Sequence, residues 1–439
     1  MLAALLLLAV IALPACAGTR DTAGTGDPSG AGPTAPGRTA AGASSFDEQR
    51  RDAAQELLDR FARAQLAGDT VRTSGMIHPS APQAFRAFHL ERARNLAASD
   101  LDEWTYAVTD GPEAFVATED VEEQGVRDAW APEIRLRYSN GGEEPGVDRP
   151  SDMSLVLDGT QWLIGGAREP DPATWSRVPW DHGPTVERES QDGALVIAHP
   201  GDEALALEVV ELLPEAAAAV TRRWPQPGEN RPIIVEIASS DDEFKALTGG
   251  GLAAHEGTAP RSGTAVVAAA IANPVASPSP GSGQRIIIAG QAYAGLNREG
   301  QLAALSHEIA HVLTRSQSPM PLWLVEGIAE LAAKGDRYPE PRSDATHVMD
   351  LVERYGPPDS LPRDDHFTGG GPASLLAYEL AWTFVAYLSA THGDATVIEA
   401  YRMADAEGGG TQEFSRALED TAEVTLPEAV EGWGRWLVR

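Results

Sequence analysis

Residues 299–315 read EGQLAALSHEIAHVLTR and residues 319–334 read PMPLWLVEGIAELAAK, and both stretches have the pattern of helices. His307 and His311 are four residues apart, so they lie on one helix face about one turn apart. Two imidazoles placed in this way can bind a single tetrahedral zinc ion. Glu308 is offset around the helix, so its carboxylate can reach an open position of the metal and take a proton from metal-bound water.

The second stretch supplies candidates for a third ligand. Pro321 suits the first position of a helix after a turn. Glu326 follows His311 by 15 residues and meets the same metal if the second helix folds back onto the first. Glu330 lies one turn further along the same face and can accept a hydrogen bond from the far nitrogen of His307. Spacing alone does not choose between the two carboxylates, although the shorter fold-back mildly favours Glu326 as the ligand.

The strings H-E-I-A-H and P-L-W-L-V-E-G-I-A-E together resemble the gluzincin zinc metallopeptidases, specifically the bacterial peptidase MA-like group. The resemblance implies one zinc ion per chain, with His307, His311 and Glu326 as its ligands. It also implies that Glu308 is the catalytic base, and Glu330 matches the second acidic position of the family pattern. The expected reaction is hydrolysis of peptide bonds in a peptide or protein substrate by metal-activated water.

The same resemblance gives expectations for the surroundings of the site. Such enzymes place a small sheet against the active-site helix, and an edge strand of that sheet can pair with an extended peptide. Residues 264–272 and 285–289 are both candidates for this edge strand. A C-terminal helical lobe, residues 372–438, often supplies a side chain that stabilises the oxyanion. Tyr378 is the nearest candidate by position, and two histidines are weaker ones: His366 and His392.

The N-terminus resembles a bacterial lipoprotein signal. Leu2 to Ala15 is an uncharged apolar run of 14 residues, too short to span a bilayer but typical of a signal-peptide core. It ends in Leu13-Pro14-Ala15, and Cys16 follows. This string resembles a lipobox, which implies that Cys16 is lipidated. Cys16 is also the only cysteine, which excludes an intramolecular disulfide and a zinc site built from several thiolates. An ordinary secretory signal is the alternative to a lipid anchor.

The chain is expected to have an α+β fold divided into several parts. Residues 1–16 form the signal peptide, and residues 17–45 are almost all small or polar and predict a flexible linker. Residues 46–170 show helical patterns followed by strand-like runs, an order that resembles the NTF2-like fold. A connector rich in Pro and Trp covers residues 171–184, and residues 185–439 form the zinc metallopeptidase-like domain.

Individual elements follow from periodicity and turn residues. Helices are predicted at residues 47–67, 82–97 and 203–224, and a short helix that ends at Leu247 is predicted to be capped by Asp241 or Asp242. From residue 299 onward the pattern is helical nearly to the end of the chain. Strands are predicted at residues 104–109, 113–118, 131–138, 152–158, 161–166, 194–198, 232–238, 264–272 and 285–289. Asp158-Gly159 is typical of a β-hairpin turn.

Composition limits the classes of function. The chain has 65 acidic and 34 basic residues and a formal net charge of −31, so a basic face for nucleic acid is not expected. The leading hypothesis is an extracytoplasmic zinc metallopeptidase, held on the outer face of a bacterial cell membrane by a lipid. The alternative is a catalytically inactive surface lipoprotein that uses a metallopeptidase-like fold for binding or scaffolding.

The lipid anchor is tested by Cys16→Ser. Because Cys16 is the only thiol and follows the apolar run, its loss should release the protein from the membrane fraction into the soluble fraction. The measurement is the distribution of the protein between the two fractions after cell lysis. A variant that stays as firmly membrane-bound as the parent would exclude the lipoprotein hypothesis.

Overall fold

The computed structural model describes residues 46–116, 125–169, 171–225, 232–249, 261–262, 265–273, 277, 281–334, 344–367 and 371–439. The predicted signal peptide, Cys16 and the predicted linker lie outside the described residues. The chain is mixed α/β, with 52% helix and 17% strand arranged in several small sheets, which is consistent with the expected α+β class. Residues 46–439 form one compact unit, so the boundary between two folded domains stays a prediction.

Three helices open the N-terminal part, here residues 46–181. They are α1 (Phe46–Leu66), α2 (Thr70–Gly75) and α3 (Gln83–Leu96). The helices predicted at 47–67 and 82–97 are therefore confirmed. Helix α1 buries one apolar face, which includes Leu57, Leu58 and Phe61.

Two three-stranded antiparallel sheets follow, one in the order β1-β3-β4 and one in the order β2-β5-β6. Their strands are β1 (Glu103–Val108), β2 (Asp128–Trp130), β3 (Ile134–Ser139), β4 (Val147–Ser151), β5 (Ser154–Asp158) and β6 (Gln161–Gly166). The hairpin at Asp158-Gly159 is confirmed, with Gly159 in the left-handed region at φ +59°. The strand predicted at 113–118 is wrong over its described residues, which form only an isolated bridge between Ala114 and Ala131.

The core of the N-terminal part is aromatic. Trp104, Tyr138 and Trp180 pack edge to face or tilted, and Trp180 is fully buried. Trp180 lies within the predicted connector, which contains two short 3-10 turns, Pro172–Thr174 and Pro179–Asp181. The end of the connector therefore packs into the N-terminal core rather than crossing open solvent.

The C-terminal part, here residues 186–439, begins with a five-stranded sheet in the order β12-β13-β9-β8-β7. The inner strands run parallel, and the two edge strands β12 and β7 pair antiparallel to their neighbours. The bounds are β7 (Val186–Glu189), β8 (Leu195–Ala198), β9 (Ile234–Ala238), β12 (Ala268–Ile271) and β13 (Arg285–Ala289). The run predicted at 264–272 is split, because β10 (Arg261–Ser262) and β11 (Ala265–Val266) form a separate small hairpin.

Helices pack on this sheet and account for most of the other described residues of the C-terminal part. They are α4 (Glu203–Arg223), α5 (Asp241–Leu247), α6 (Gly290–Ala294), α7 (Arg298–Thr314), α8 (Leu322–Ala333), α9 (Thr346–Tyr355), α10 (Pro372–His392), α11 (Asp394–Ala406), α12 (Thr411–Ala422) and α13 (Leu426–Leu437). The predicted cap of α5 is wrong: Ser240 caps the helix by accepting a hydrogen bond from the Glu243 amide.

Helix α10 is long and apolar enough to cross a membrane by length and composition, and 61% of its apolar window is buried inside the protein. It packs closely against α8 at Gly327. A Cβ atom at Gly327 would lie 2.6 Å from Val385 Cγ2 and 2.7 Å from the Ala381 carbonyl oxygen. The absence of a side chain at Gly327 therefore lets the two helix backbones approach each other.

Gly327→Ala should lower the free energy of unfolding by about 1–3 kcal/mol, because the added methyl group overlaps the backbone of α10. Gly75→Ala is the control, since a Cβ atom at that helical position meets nothing within 4 Å. The measurement is denaturant unfolding of both variants. Equal stability of the two variants would mean that the close approach of α8 and α10 is not a constraint.

Candidate metal centre

Helix α7 carries two histidines on its buried face. The helix starts after Asn297, whose side chain accepts a hydrogen bond from the Gly300 amide at 2.9 Å. Its face toward the sheet contacts β12 and β13. His307 and His311 are 0% and 4% exposed, and their Nε2 atoms lie 3.0 Å apart. The one-turn spacing predicted from the sequence is therefore present.

Helix α8 folds back and brings a carboxylate to the same point. Oε2 of Glu326 lies 3.3 Å from His307 Nε2 and 3.6 Å from His311 Nε2. Among the described residues, these three side chains form the one group with potential metal-ligand atoms so close together. We call them the His-His-Glu triad. The structure thus brings together the three residues predicted as ligands, while their role as zinc ligands stays a prediction.

The turn between the two helices is held by two carboxylates from later in the chain, Asp405 in α11 and Asp364 in the 3-10 turn Asp364–His366. Asp405 accepts hydrogen bonds from the backbone amides of Gln317 and Ser318, at 2.9 and 2.8 Å. Asp364 accepts one from the Leu322 amide at 3.0 Å. Pro321 precedes the first helical residue as the N-cap, instead of occupying the first helical position as expected. These anchors fix where α8 begins and therefore where Glu326 lies.

The dimensions of the triad fit a tetrahedral ion. Ligand atoms about 2.0–2.1 Å from a zinc ion are about 3.3 Å apart in tetrahedral geometry. The three separations in the triad are 3.0, 3.3 and 3.6 Å. Two imidazole nitrogens and a carboxylate oxygen are also the donor types that zinc takes in catalytic sites. The residues present therefore fit a zinc ion.

Electrostatics distinguish the two buried carboxylates. Burial alone would raise the pKa of Glu326, but the charges and hydrogen bonds of His311 and His307 outweigh burial and lower this pKa to about 2. Burial raises the pKa of Glu308 to about 8, although the charge of His307 and the backbone amide of Ala270 act in the opposite direction. Neither Glu308 oxygen makes a hydrogen bond of ordinary geometry. Glu326 is thus held as an anion, whereas Glu308 binds a proton readily.

Glu330 lies on the outer side of His307. Its Oε1 atom is 3.6 Å from His307 Nδ1, on the opposite side of the ring from the triad, and its side chain is 21% exposed. This is the neighbour predicted for Glu330, but the separation is longer than a hydrogen bond. The contact is therefore a long polar contact, which can still favour the tautomer of His307 that carries its proton on Nδ1.

The candidates for oxyanion stabilisation lie in different environments. Tyr378 is buried in α10 with its ring edge-on to Phe367, at a centroid separation of 5.2 Å. His366 ends a short 3-10 turn and is 43% exposed next to Asp365. His392 is the last residue of α10. The role predicted for Tyr378 stays a prediction.

Sequence reasoning did not identify Ala270, although it left β12 and β13 as alternatives for the edge strand. The sheet order decides between them, because β12 is at the edge and β13 lies between β12 and β9. The amide of Ala270 in β12 faces the Glu308 carboxylate. A run of alanines carries no chemical signal of its own, so only the sheet register could reveal this contact.

Comparison with known proteins adds no family assignment. No protein-family model matches this chain, and no curated protein matches it. The interpretation of the site therefore depends on its own geometry and on the sequence motif.

Substituting Glu326 and Glu330 one at a time tests which of these two carboxylates of α8 binds the metal. Glu326→Ala should abolish stoichiometric zinc, because it removes one of three buried ligand atoms. Glu330→Ala should weaken zinc affinity only by about 10–100-fold, the usual effect of losing the partner of a ligand histidine. Zinc affinity of both variants is the measurement, with circular dichroism as the control for folding. The reverse ordering would exchange the two roles.

Proposed function

We propose that this chain is a lipid-anchored, outward-facing bacterial zinc metallopeptidase. In this proposal the C-terminal part has a gluzincin-type fold and the N-terminal part an NTF2-like fold. The observation that supports it most is the position of Glu308. This carboxylate is buried next to His307 in the same helix and lacks a hydrogen bond of ordinary geometry. A general base with these properties beside a buried His-His-Glu triad suits hydrolysis by activated water.

Each residue of the site has a separate task in this mechanism. His307, His311 and Glu326 would hold the zinc ion. Glu330 would favour the tautomer of His307 that carries its proton on Nδ1 and leaves the Nε2 lone pair for the metal. A bound zinc ion supplies Lewis acidity that activates water and polarises the scissile carbonyl group. Glu308 accepts the proton of the attacking water at one carboxylate oxygen and then delivers it to the leaving amine. The proton balance of hydrolysis is thereby complete.

In this proposal the substrate binds along the edge strand β12; Ala268 and Ala270 are 0% exposed in this structure, so the peptide would have to displace what covers them. In the antiparallel register, Ala289 N donates to Val267 O, so residues 267, 269 and 271 exchange hydrogen bonds with β13. The N–H and C=O groups of Ala268 and Ala270 therefore point away from β13. An extended peptide that pairs with these groups would add a strand beside the Glu308 carboxylate.

The second candidate function is a structural metal site in a non-enzymatic surface lipoprotein. One observation favours it: His307, Glu308 and Glu326 are all 0% exposed, and His311 is nearly so. Structural zinc sites are closed, whereas catalytic sites keep a position for water and substrate. Chelator-sensitive hydrolysis of an unfolded-protein substrate is expected from the peptidase only.

Glu308→Gln separates metal binding from chemistry. The amide keeps the size of the side chain but cannot act as a base, so hydrolysis should fall by about 10²-fold or more at full zinc content. Glu299→Gln is the matched control, because it makes the same change at an exposed position in the first turn of α7. Zinc content and the initial rate of hydrolysis are measured for both. Loss of zinc in Glu308→Gln would make Glu308 a ligand, and unchanged hydrolysis would exclude it as the base.

A further inference from the structure

A buried amide joins the N-terminal part to the end of the edge strand. Asn273 lies two residues after β12 and is 2% exposed. Its Nδ2 donates a hydrogen bond to Gly146 O at 2.8 Å, and its Oδ1 accepts one from Asp148 N at 2.7 Å. The side chain thus pairs with the backbone at the start of β4 in the way that a neighbouring strand would.

A buried ion pair holds the adjacent strand to the same hairpin. Arg285 is the first residue of β13, is fully buried and is opposite Ile271 of β12 in the register. Its guanidinium group binds both carboxylate oxygens of Glu143, with the NH1–Oε2 distance at 2.6 Å. Its Nε donates to Glu236 at 3.1 Å. Removing one member of such a pair leaves an uncompensated buried charge, so the contact strongly resists displacement.

Close backbone packing completes this contact. Gly283, in the loop that leads into β13, has φ +60°, and a Cβ atom there would lie 2.7 Å from both Gly146 O and Val147 Cα. We call this contact the joint; its residues are Glu143, Gly146, Val147, Asp148, Asn273, Gly283 and Arg285. No side chain fits between the two backbones at Gly283, so the joint has little room to slide.

The joint also connects to the active-site helix. Gln284, between Gly283 and Arg285, accepts a hydrogen bond from Arg315 Nε at 2.7 Å. Arg315 directly follows the last residue of α7 and is four residues after His311. The hairpin between β3 and β4 is therefore linked both to the edge strand that faces Glu308 and to the helix that carries Glu308.

We propose that the N-terminal part holds β12 at a fixed position relative to Glu308. Asn273 and Arg285 are then positioning residues for the substrate strand. This rests on the proposed function. Among the described residues, β12 pairs with β13 on one side only. The joint adds a second support at its C-terminal end, beside the backbone hydrogen bonds between Asn273 and the loop that leads into β13. An error of about 1 Å in the position of a substrate can cost about 10²-fold in rate.

The test compares two buried asparagines that both link the N-terminal part to the five-stranded sheet. Asn273→Ala breaks the joint beside β12. Asn140→Ala is the matched control, because Asn140 is also buried but donates to Glu187 in β7, at the opposite edge of the sheet. Gly283→Ala is the second variant: it leaves Asn273 in place but puts a Cβ atom 2.7 Å from Gly146 O and Val147 Cα, and it replaces Asn273→Ala if that variant fails to fold.

Three quantities are measured on the full-length protein: zinc content, hydrogen exchange of amides 268–271, and kcat/KM for an unfolded polypeptide. Asn273→Ala should keep its zinc, exchange faster in β12 than Asn140→Ala, and lose about 10-fold or more in kcat/KM. Gly283→Ala should also keep its zinc and change the exchange of β12 and kcat/KM in the same direction. Equal exchange of the β12 amides in the two alanine variants, or an equal loss of kcat/KM, would overturn the proposal that the N-terminal part positions β12. If the parent protein hydrolyses nothing, the proposed function fails, and the exchange comparison alone decides whether the N-terminal part holds β12.

Discussion

The burial of the Glu326 carboxylate between two imidazoles is the interaction on which the C-terminal half depends. A carboxylate with no exposed surface is costly unless it is paired with positive charge. The imidazoles of His307 and His311 flank the Glu326 carboxylate and lower its pKa, so that it stays ionised. Their position requires α8 to reverse direction and pack tightly on α10, which explains the anchored turn and the glycine at position 327. A divalent cation would satisfy all three side chains at once.

The N-terminal part also contacts the edge strand that lies beside this centre. Its aromatic core is separate from the core of the C-terminal part. Yet the hairpin between β3 and β4 reaches the end of β12 through hydrogen bonds and a buried ion pair. The edge strand beside Glu308 is thus held from two directions, by β13 and by the joint. The proposed peptidase would then need both parts of the chain, even though the triad and the base lie in one.

Much of this arrangement could be predicted from the sequence, because helical periodicity and the spacing of His307, His311 and Glu326 are local patterns. The sequence analysis missed β2, β4, β7 and β10. Of these, β4 (VDRPS) and β7 (VERE) are polar, and β4 is stabilised by tertiary contacts such as the ion pair between Arg135 and Asp148. The joint could not be predicted, since its partners are 125 to 142 residues apart in the chain. Ala270 has no chemical signal at all, and only its register in the sheet brings its amide to Glu308.

X-ray absorption at the zinc edge of the purified protein tests the central claim most directly, because it reports the metal and its ligand atoms without reference to a substrate. We expect one zinc ion per chain, bound to two histidine nitrogens and to oxygen at about 2.0–2.2 Å. Substitution of either histidine should abolish stoichiometric zinc, because it removes one of the three ligand atoms. Absence of zinc would contradict the claim. A sulfur ligand would do so as well, since the only cysteine of the chain is Cys16, far in sequence from the triad.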